Sequence, residues 1–165
     1  MARDCGAGKV FLSDVNRGRL DIALKAVGSF VDDAWVAGDD NGVAQALERT
    51  GGNGPERILV AAPSKQAQQA ALEMAAKRAR IVYFAGLPKH DPVSPLDMNQ
   101  LHYKELAILG AYGATHRQYR LTMDYLERRR EELAAVVTHR FPLEKIGEAF
   151  ETIRSGTGLK MVVVP

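Results

Sequence analysis

One cysteine in 165 residues excludes a disulfide framework, because Cys5 has no intrachain partner and cannot assemble a thiolate zinc site by itself. A chain this poor in cysteine is expected in a reducing compartment, and a cytoplasmic location is the reading adopted. Long apolar runs are missing as well. They extend over only a few residues, far short of the ~20 that cross a bilayer, so no membrane segment is expected. The opening Met1-Ala-Arg-Asp-Cys-Gly carries no apolar stretch behind its charges, so no secretory leader is read there. Charge of one sign is scarce: 22 Lys plus Arg stand against 20 Asp plus Glu, a net charge of +2. The one basic cluster, Arg128-Arg129-Arg130, runs straight into Glu131-Glu132, which reads as a solvated helix end and not as a nucleic-acid surface.

Several chemical signatures are also absent. No Gly-x-Ser-x-Gly elbow supports a serine nucleophile. His90, His102, His116 and His139 fall in different elements without metal-ligand spacing, so neither a metal site nor a catalytic residue is assigned from this chain. Gly6-Ala7-Gly8-Lys9 opens a strand, and Gly51 to Gly54 follows a helix and precedes a strand. A phosphate loop needs the opposite order, strand then helix, so neither tract is a pyrophosphate cradle.

What is present is an ordinary globular composition, 46% hydrophobic and 25% charged, in a length suited to one domain. Apolar runs of strand formers alternate with helical spacing. Lys9 to Asp14 precedes a helix over Arg17 to Val27, and Ala34 to Ala37 precedes one near Val43 to Arg49. Ile58 to Ala62 leads through Ser64, a helix cap, into Lys65 to about Lys77. Arg80 to Ala85 and Leu106 to Ala111 give two more strands, separated by a polar, proline-bearing crossing from Pro88 to Asn99. The helix from His116 to about Arg129 places Tyr119, Thr122, Met123 and Leu126 on one stripe, expected to be buried. Continuous apolar strands bounded by helices predict an α/β fold, a doubly wound parallel sheet covered on both faces. The last thirty residues break the rhythm with a strand from Val136, a helix with Leu143, Ile146, Phe150 and Ile153 inward, and a strand ending at Val164.

Ligands of doubly wound sheets lie beyond the carboxyl ends of the strands. Asp14 ends its strand there, where a carboxylate can accept both hydroxyls of an adenosine ribose, and where it repels a 2′-phosphate and so favours NAD over NADP. An aspartate in that place can equally end a strand or cap the next helix. Gly86, Gly110 and Gly113 stand at later strand ends, where glycine admits a ligand to the backbone or makes a tight turn.

Four segments, GAGKVFLSDVNRGRLDIAL, RIVYFAGLPK, HYKELAILGAYGAT and THRFPLEKIGEAFE, in this order and spacing resemble the zinc-dependent medium-chain alcohol dehydrogenases, closest to their sorbitol (polyol) dehydrogenase branch. The resemblance covers nearly the whole chain. It implies that Asp14 binds the adenosine ribose, with Arg19 beside the adenine and ribose. It also implies that Ala85, Gly86 and Leu87 line the nicotinamide, and that Ala111, Tyr112 and Gly113 close over its ring. Gly113 stands where polyol dehydrogenases usually carry a substrate-touching arginine. The implied reaction is hydride transfer between an alcohol or polyol and NAD, with a zinc ion whose ligands come from a catalytic domain upstream of Met1.

By the same resemblance, residues 1–135 form a Rossmann-like NAD-binding domain lacking its first strand and glycine-rich loop. Residues 136–165 form a segment that packs with the catalytic domain. The absent first strand is the central one, so the sheet is expected to split, leaving β-edges and the face around Phe141 and Phe150 without partners. A homo-oligomer, or aggregation of the isolated chain, is therefore expected. The alternative function is a non-catalytic remnant that binds nucleotide or pairs with another subunit. An S-adenosylmethionine methyltransferase also uses an acidic residue at the second strand's end, but its glycine-rich loop and antiparallel final hairpin are not evident.

Overall fold

Hydrogen-bonded pairing divides the strands in the way the sequence predicts. In the computed structural model, which describes residues 1–38 and 41–165, β1 (Phe11–Asp14) pairs in parallel with β2 (Asp33–Val36), from Phe11 opposite Asp33 to Asp14 opposite Val36. Separately, β3 (Arg57–Val60), β4 (Arg80–Tyr83) and β5 (Ala107–Gly110) form a parallel sheet in that order. A third parallel pair joins β6 (Val137–Pro142) to β7 (Lys160–Val164). The chain forms two units, one from residues 1–38 with 114–165 and one from 39–113.

In the first unit, α1 (Arg17–Val27) begins at Asn16, whose side chain accepts from the Arg19 amide, and it buries Leu20 to 1% exposure. Trp35 on β2 is also buried, its ring 6.2 Å from that of Phe11. Thr115 opens α5 (His116–Arg128) with a capping box that engages Gln118. A short α6 (Arg130–Leu133) follows. The basic cluster at this junction is not all solvated: the Arg129 guanidinium pairs with Asp4 and Glu132 and lies 5.7 Å from the centre of the Phe30 ring.

Two expected buried stripes face solvent instead. On α5, Tyr119, Met123 and Leu126 are 63%, 62% and 42% exposed, and Thr122 is exposed too. On α7 (Ile146–Ser155) the small Ala149 turns inward, while Ile146, Phe150 and Ile153, with Leu143 just ahead of the helix, are all exposed. Helical spacing reveals an apolar stripe but does not say what covers it.

In the second unit, α2 (Gly42–Arg49) ends in a turn at Thr50 to Gly54 that leads into β3. Ser64 caps α3 (Lys65–Met74), which lies on the face of the sheet bearing Ile58, Val60, Ile81, Tyr83 and Ile108. The core of this unit is built from Val60, Ala71, Leu72, Ala75, Ala76, Ala79 and Ile81. The helix stops at Met74, short of Lys77, because Ala75 turns to an extended conformation and the Ala76 amide donates to the Pro55 carbonyl at 3.2 Å. Lys104 Nζ then satisfies the last helical carbonyls, donating to Leu72 at 3.2 Å and to Glu73 at 2.8 Å. The crossing before β5 contains a helix that the sequence reading did not include, α4 (Met98–Tyr103), capped by the Asp97 carboxylate. The opposite sheet face carries the row Leu59, Val82, Leu109, of which Leu59 is 65% exposed. Within this unit, covering is one-sided where two sides were expected.

No helix is long and apolar enough to cross a membrane among the described residues.

Candidate functional site

The candidate residues fall into two sets, one in each unit. In the first, β1 delivers Asp14 to its carboxyl end, and the Asn16 cap starts α1 so that Arg19 sits in the first turn. Arg19 grips the carboxylate with two bonds, Nε to Oδ2 at 2.7 Å and Nη2 to Oδ1 at 2.6 Å. The Asn16 amide adds a bond to Oδ1 at 2.8 Å. Burial works against the charge on Asp14, but the Arg19 guanidinium and the Asn16 amide outweigh it and hold the carboxyl below its usual range. The bonds it donates to Asp14 raise Arg19 in turn. Arg19 therefore rests on Asp14 itself. Oδ1 has two donors already, whereas Oδ2 takes one bond from Arg19 and keeps a lone pair for a hydroxyl.

The sequence reading missed a third wall of this cluster. Gly156, just past α7 at φ +67°, stands so close that a Cβ there would lie 3.0 Å from Asn16 Nδ2 and 3.8 Å from Arg19 Nη1. Only its Ser-Gly-Thr-Gly context, a helix stop, marked it in the sequence.

In the second unit, a groove of about 460 Å³ opens at the carboxyl ends of β4 and β5. Ala85, Gly86, Leu87, Ala111 and Tyr112 all line it; Gly113 does not. The strand ends are held by backbone bonds from Phe84 and Ala85 to the Val60 carbonyl, at 3.0 and 3.2 Å, and from Ala111 to the Tyr83 carbonyl at 3.2 Å. Gly113 has φ +66°, a left-handed backbone that favours glycine. At Gly86 and Gly110 a Cβ would meet nothing within 4 Å, so nothing in the chain itself demands glycine there and the space beside the backbone is open. Gln68 and Tyr83 also line the groove. The Tyr83 hydroxyl donates to the Gln68 carbonyl at 3.2 Å, and burial pushes its phenol above the ordinary value. Gln68 could have been found from its spacing, since it precedes Ala71 and Leu72 on the buried stripe of α3.

Among the described residues no group of three or more His, Cys, Asp or Glu side chains is placed to hold a metal ion. These residues do not fit a zinc ion by themselves, and no step is routed through one.

The family model described as zinc-binding dehydrogenase matches residues 1–128. The chain belongs to the zinc-binding dehydrogenase family. Within it, this zinc-binding dehydrogenase chain is 31% identical to an L-threonine 3-dehydrogenase of Bacillus subtilis over 166 residues, covering 100% of this chain and 46% of the relative. It is 28% identical to a sorbitol dehydrogenase of Bombyx mori, with 98% and 45% of the two chains covered. The fold matches a crystal structure of an alcohol dehydrogenase from Thermotoga maritima with a TM-score of 0.85 at 23% identity, covering 99% of this chain and 45% of the other. The chain spans about half the length of the curated relatives it matches. The α/β architecture expected from the strand pattern is that of these dehydrogenases.

Proposed function

We propose that this chain is the cofactor-binding portion of an NAD-dependent alcohol or polyol dehydrogenase. The observation that carries the reading is the carboxylate of Asp14, held ionised at the end of β1 with a lone pair of Oδ2 still available. In this reading Asp14 accepts a hydroxyl of the adenosine ribose, and a second one as Arg19 releases an arm to lie along the adenine. The open backbone at Gly86, with Ala85 and Leu87, lines the nicotinamide, and Ala111, Tyr112 and Gly113 close over its ring. Bound NAD supplies the hydride acceptor. The chain's own residues bind and orient it and keep its ring against an apolar strand end.

The exposed faces of α5 and α7 support two further parts of the reading. Residues 136–165 pack against the remainder of a dehydrogenase, and the protein works as a homo-oligomer in the cytoplasm on a small alcohol or polyol. Both threonine and sorbitol dehydrogenases stand among the relatives, and the substrate is read here only as an alcohol or polyol.

Calorimetric titration with NAD and NADP tests the reading. NAD is expected to bind more tightly, and Asp14→Ala to erase the difference. Equal binding of the two by the unmodified chain refutes it.

A further inference from the structure

We propose that Gln68 orients the nicotinamide ring by pairing its side-chain amide with the ring's carboxamide, an inference that rests on the cofactor reading above. Gln68 is the one glutamine on the buried stripe of α3, three and four residues ahead of Ala71 and Leu72, each 1% exposed. It is itself only 6% exposed, yet it lines the groove at the ends of β4 and β5. Among the described residues its side-chain amide makes no hydrogen bond. The residue is otherwise enclosed, so its amide meets solvent at the groove and is free to pair with a ligand there.

The groove narrows the choice of partner. Its other polar side chains are Tyr83 and Tyr112; the Tyr83 hydroxyl is already spent on the Gln68 carbonyl, and Tyr112 is fully exposed. That same bond pins the first turn of α3 to β4 and holds the Gln68 side chain at the groove. Phe84, Ala85, Leu87 and Pro92 supply apolar walls. The groove thus offers flat apolar contact with one donor and one acceptor side by side. A planar ring bearing a primary carboxamide presents the complementary acceptor and donor in the same plane.

The test compares NAD, its 3-acetylpyridine analogue, in which a methyl group replaces the carboxamide NH2, and ADP-ribose, which lacks the ring. Each is titrated by calorimetry into the full chain and into Gln68→Met, a substitution close in volume. The unmodified chain is expected to bind NAD roughly threefold to tenfold more tightly than the analogue. Gln68→Met removes that preference and leaves ADP-ribose binding as it was. A second readout needs no substitution: the Gln68 side-chain NH2 resonances shift on adding NAD and shift less with the analogue. An unchanged preference in Gln68→Met, or equal shifts with both dinucleotides, overturns the assignment of Gln68 while ADP-ribose binding leaves the cofactor reading standing. Failure of NAD and ADP-ribose alike to bind overturns the cofactor reading and this inference with it.

Discussion

Arg78 and Glu105, the non-glycine residues with left-handed backbone among those described, at φ 61° and 52°, hold one another through an ion pair of 2.8 Å between Nε and Oε2. Each precedes the strand it feeds, and those strands pair from Arg80 opposite Ala107. The Arg78 amide also donates to the Lys104 carbonyl at 2.7 Å, so two strained turns lie side by side at the start of β4 and β5. Their side chains are 80% and 65% exposed, where water screens an ion pair heavily. Backbone relief therefore outweighs the pair. Glu105→Gly is expected to keep or raise Tm, and Glu105→Ala, which keeps the strain and loses the pair, to lower it. Thermal melts of both variants check the order, and a lower Tm for the glycine variant refutes it.

Gly54 is a steeper case. With φ +82°, a Cβ there would lie 2.0 Å from the Met74 carbonyl oxygen, backbone that cannot move without unseating the end of α3. Gly51 also has a left-handed backbone, φ +61°, but nothing lies within 4 Å of its Cβ position. Gly54→Ala is expected to cost about 3 kcal/mol and Gly51→Ala about 1 kcal/mol, the difference being steric. Urea unfolding that gives equal losses would show that the turn shifts as a body.

Gly86→Ala separates binding from stability. Its Cβ would enter open space, so Tm is expected to stay within a degree or so of the parent while NAD binding weakens roughly tenfold through lost approach to the backbone. Calorimetry and a melt on the same sample decide it. Unchanged NAD affinity would remove Gly86 from the nicotinamide wall.

The Asp14–Arg19 pair sets an acid limit. Because the folded carboxyl titrates below its ordinary 3.8, its contribution is full above that value and disappears as pH falls through the lower, folded one. Asp14→Asn should therefore flatten the loss of stability as pH falls below 3.8 and cost roughly 1 kcal/mol at neutral pH, a small figure for a pair partly open to solvent. Melts across that range test the sign. A steeper acid loss in the variant would contradict it.

The uncovered stripes of α5 and α7 predict association. Size-exclusion chromatography of the isolated chain is expected to show dimers or larger species, and a stable compact monomer would refute this. Phe150→Glu, which places a charge on the α7 stripe, should shift the population toward monomer without lowering Tm.

The strands and most helices were legible because they rest on local patterning, α4 excepted, whereas the way the strands pair came from the family resemblance. Phe11 to Asp14 and Arg80 to Tyr83 fall within the runs of strand formers, and Ser64 is a cap whose chemistry is written in one residue. The direction faced by α7 was not legible, because Ala149 and Phe150 are both apolar and only packing decides which turns inward. Ala149 wins here because a small residue lets the helix approach its own unit closely. Long-range neighbours were equally hidden. The family resemblance put Arg19 beside the site of Asp14, but nothing local connected them with Gly156, and among Gln66, Gln68 and Gln69 of α3 only the spacing to Ala71 and Leu72 singles out Gln68.

The position of Gly156 has a consequence for how the molecule comes into being. Asp14, Asn16 and Arg19 leave the ribosome more than a hundred residues before the wall against which they rest. A nascent chain halted before residue 156 holds the carboxylate and its arginine with one side bare. Completion of that corner thus waits on synthesis of residue 156, and a chain cut ahead of it would reshape a cluster that begins at residue 14.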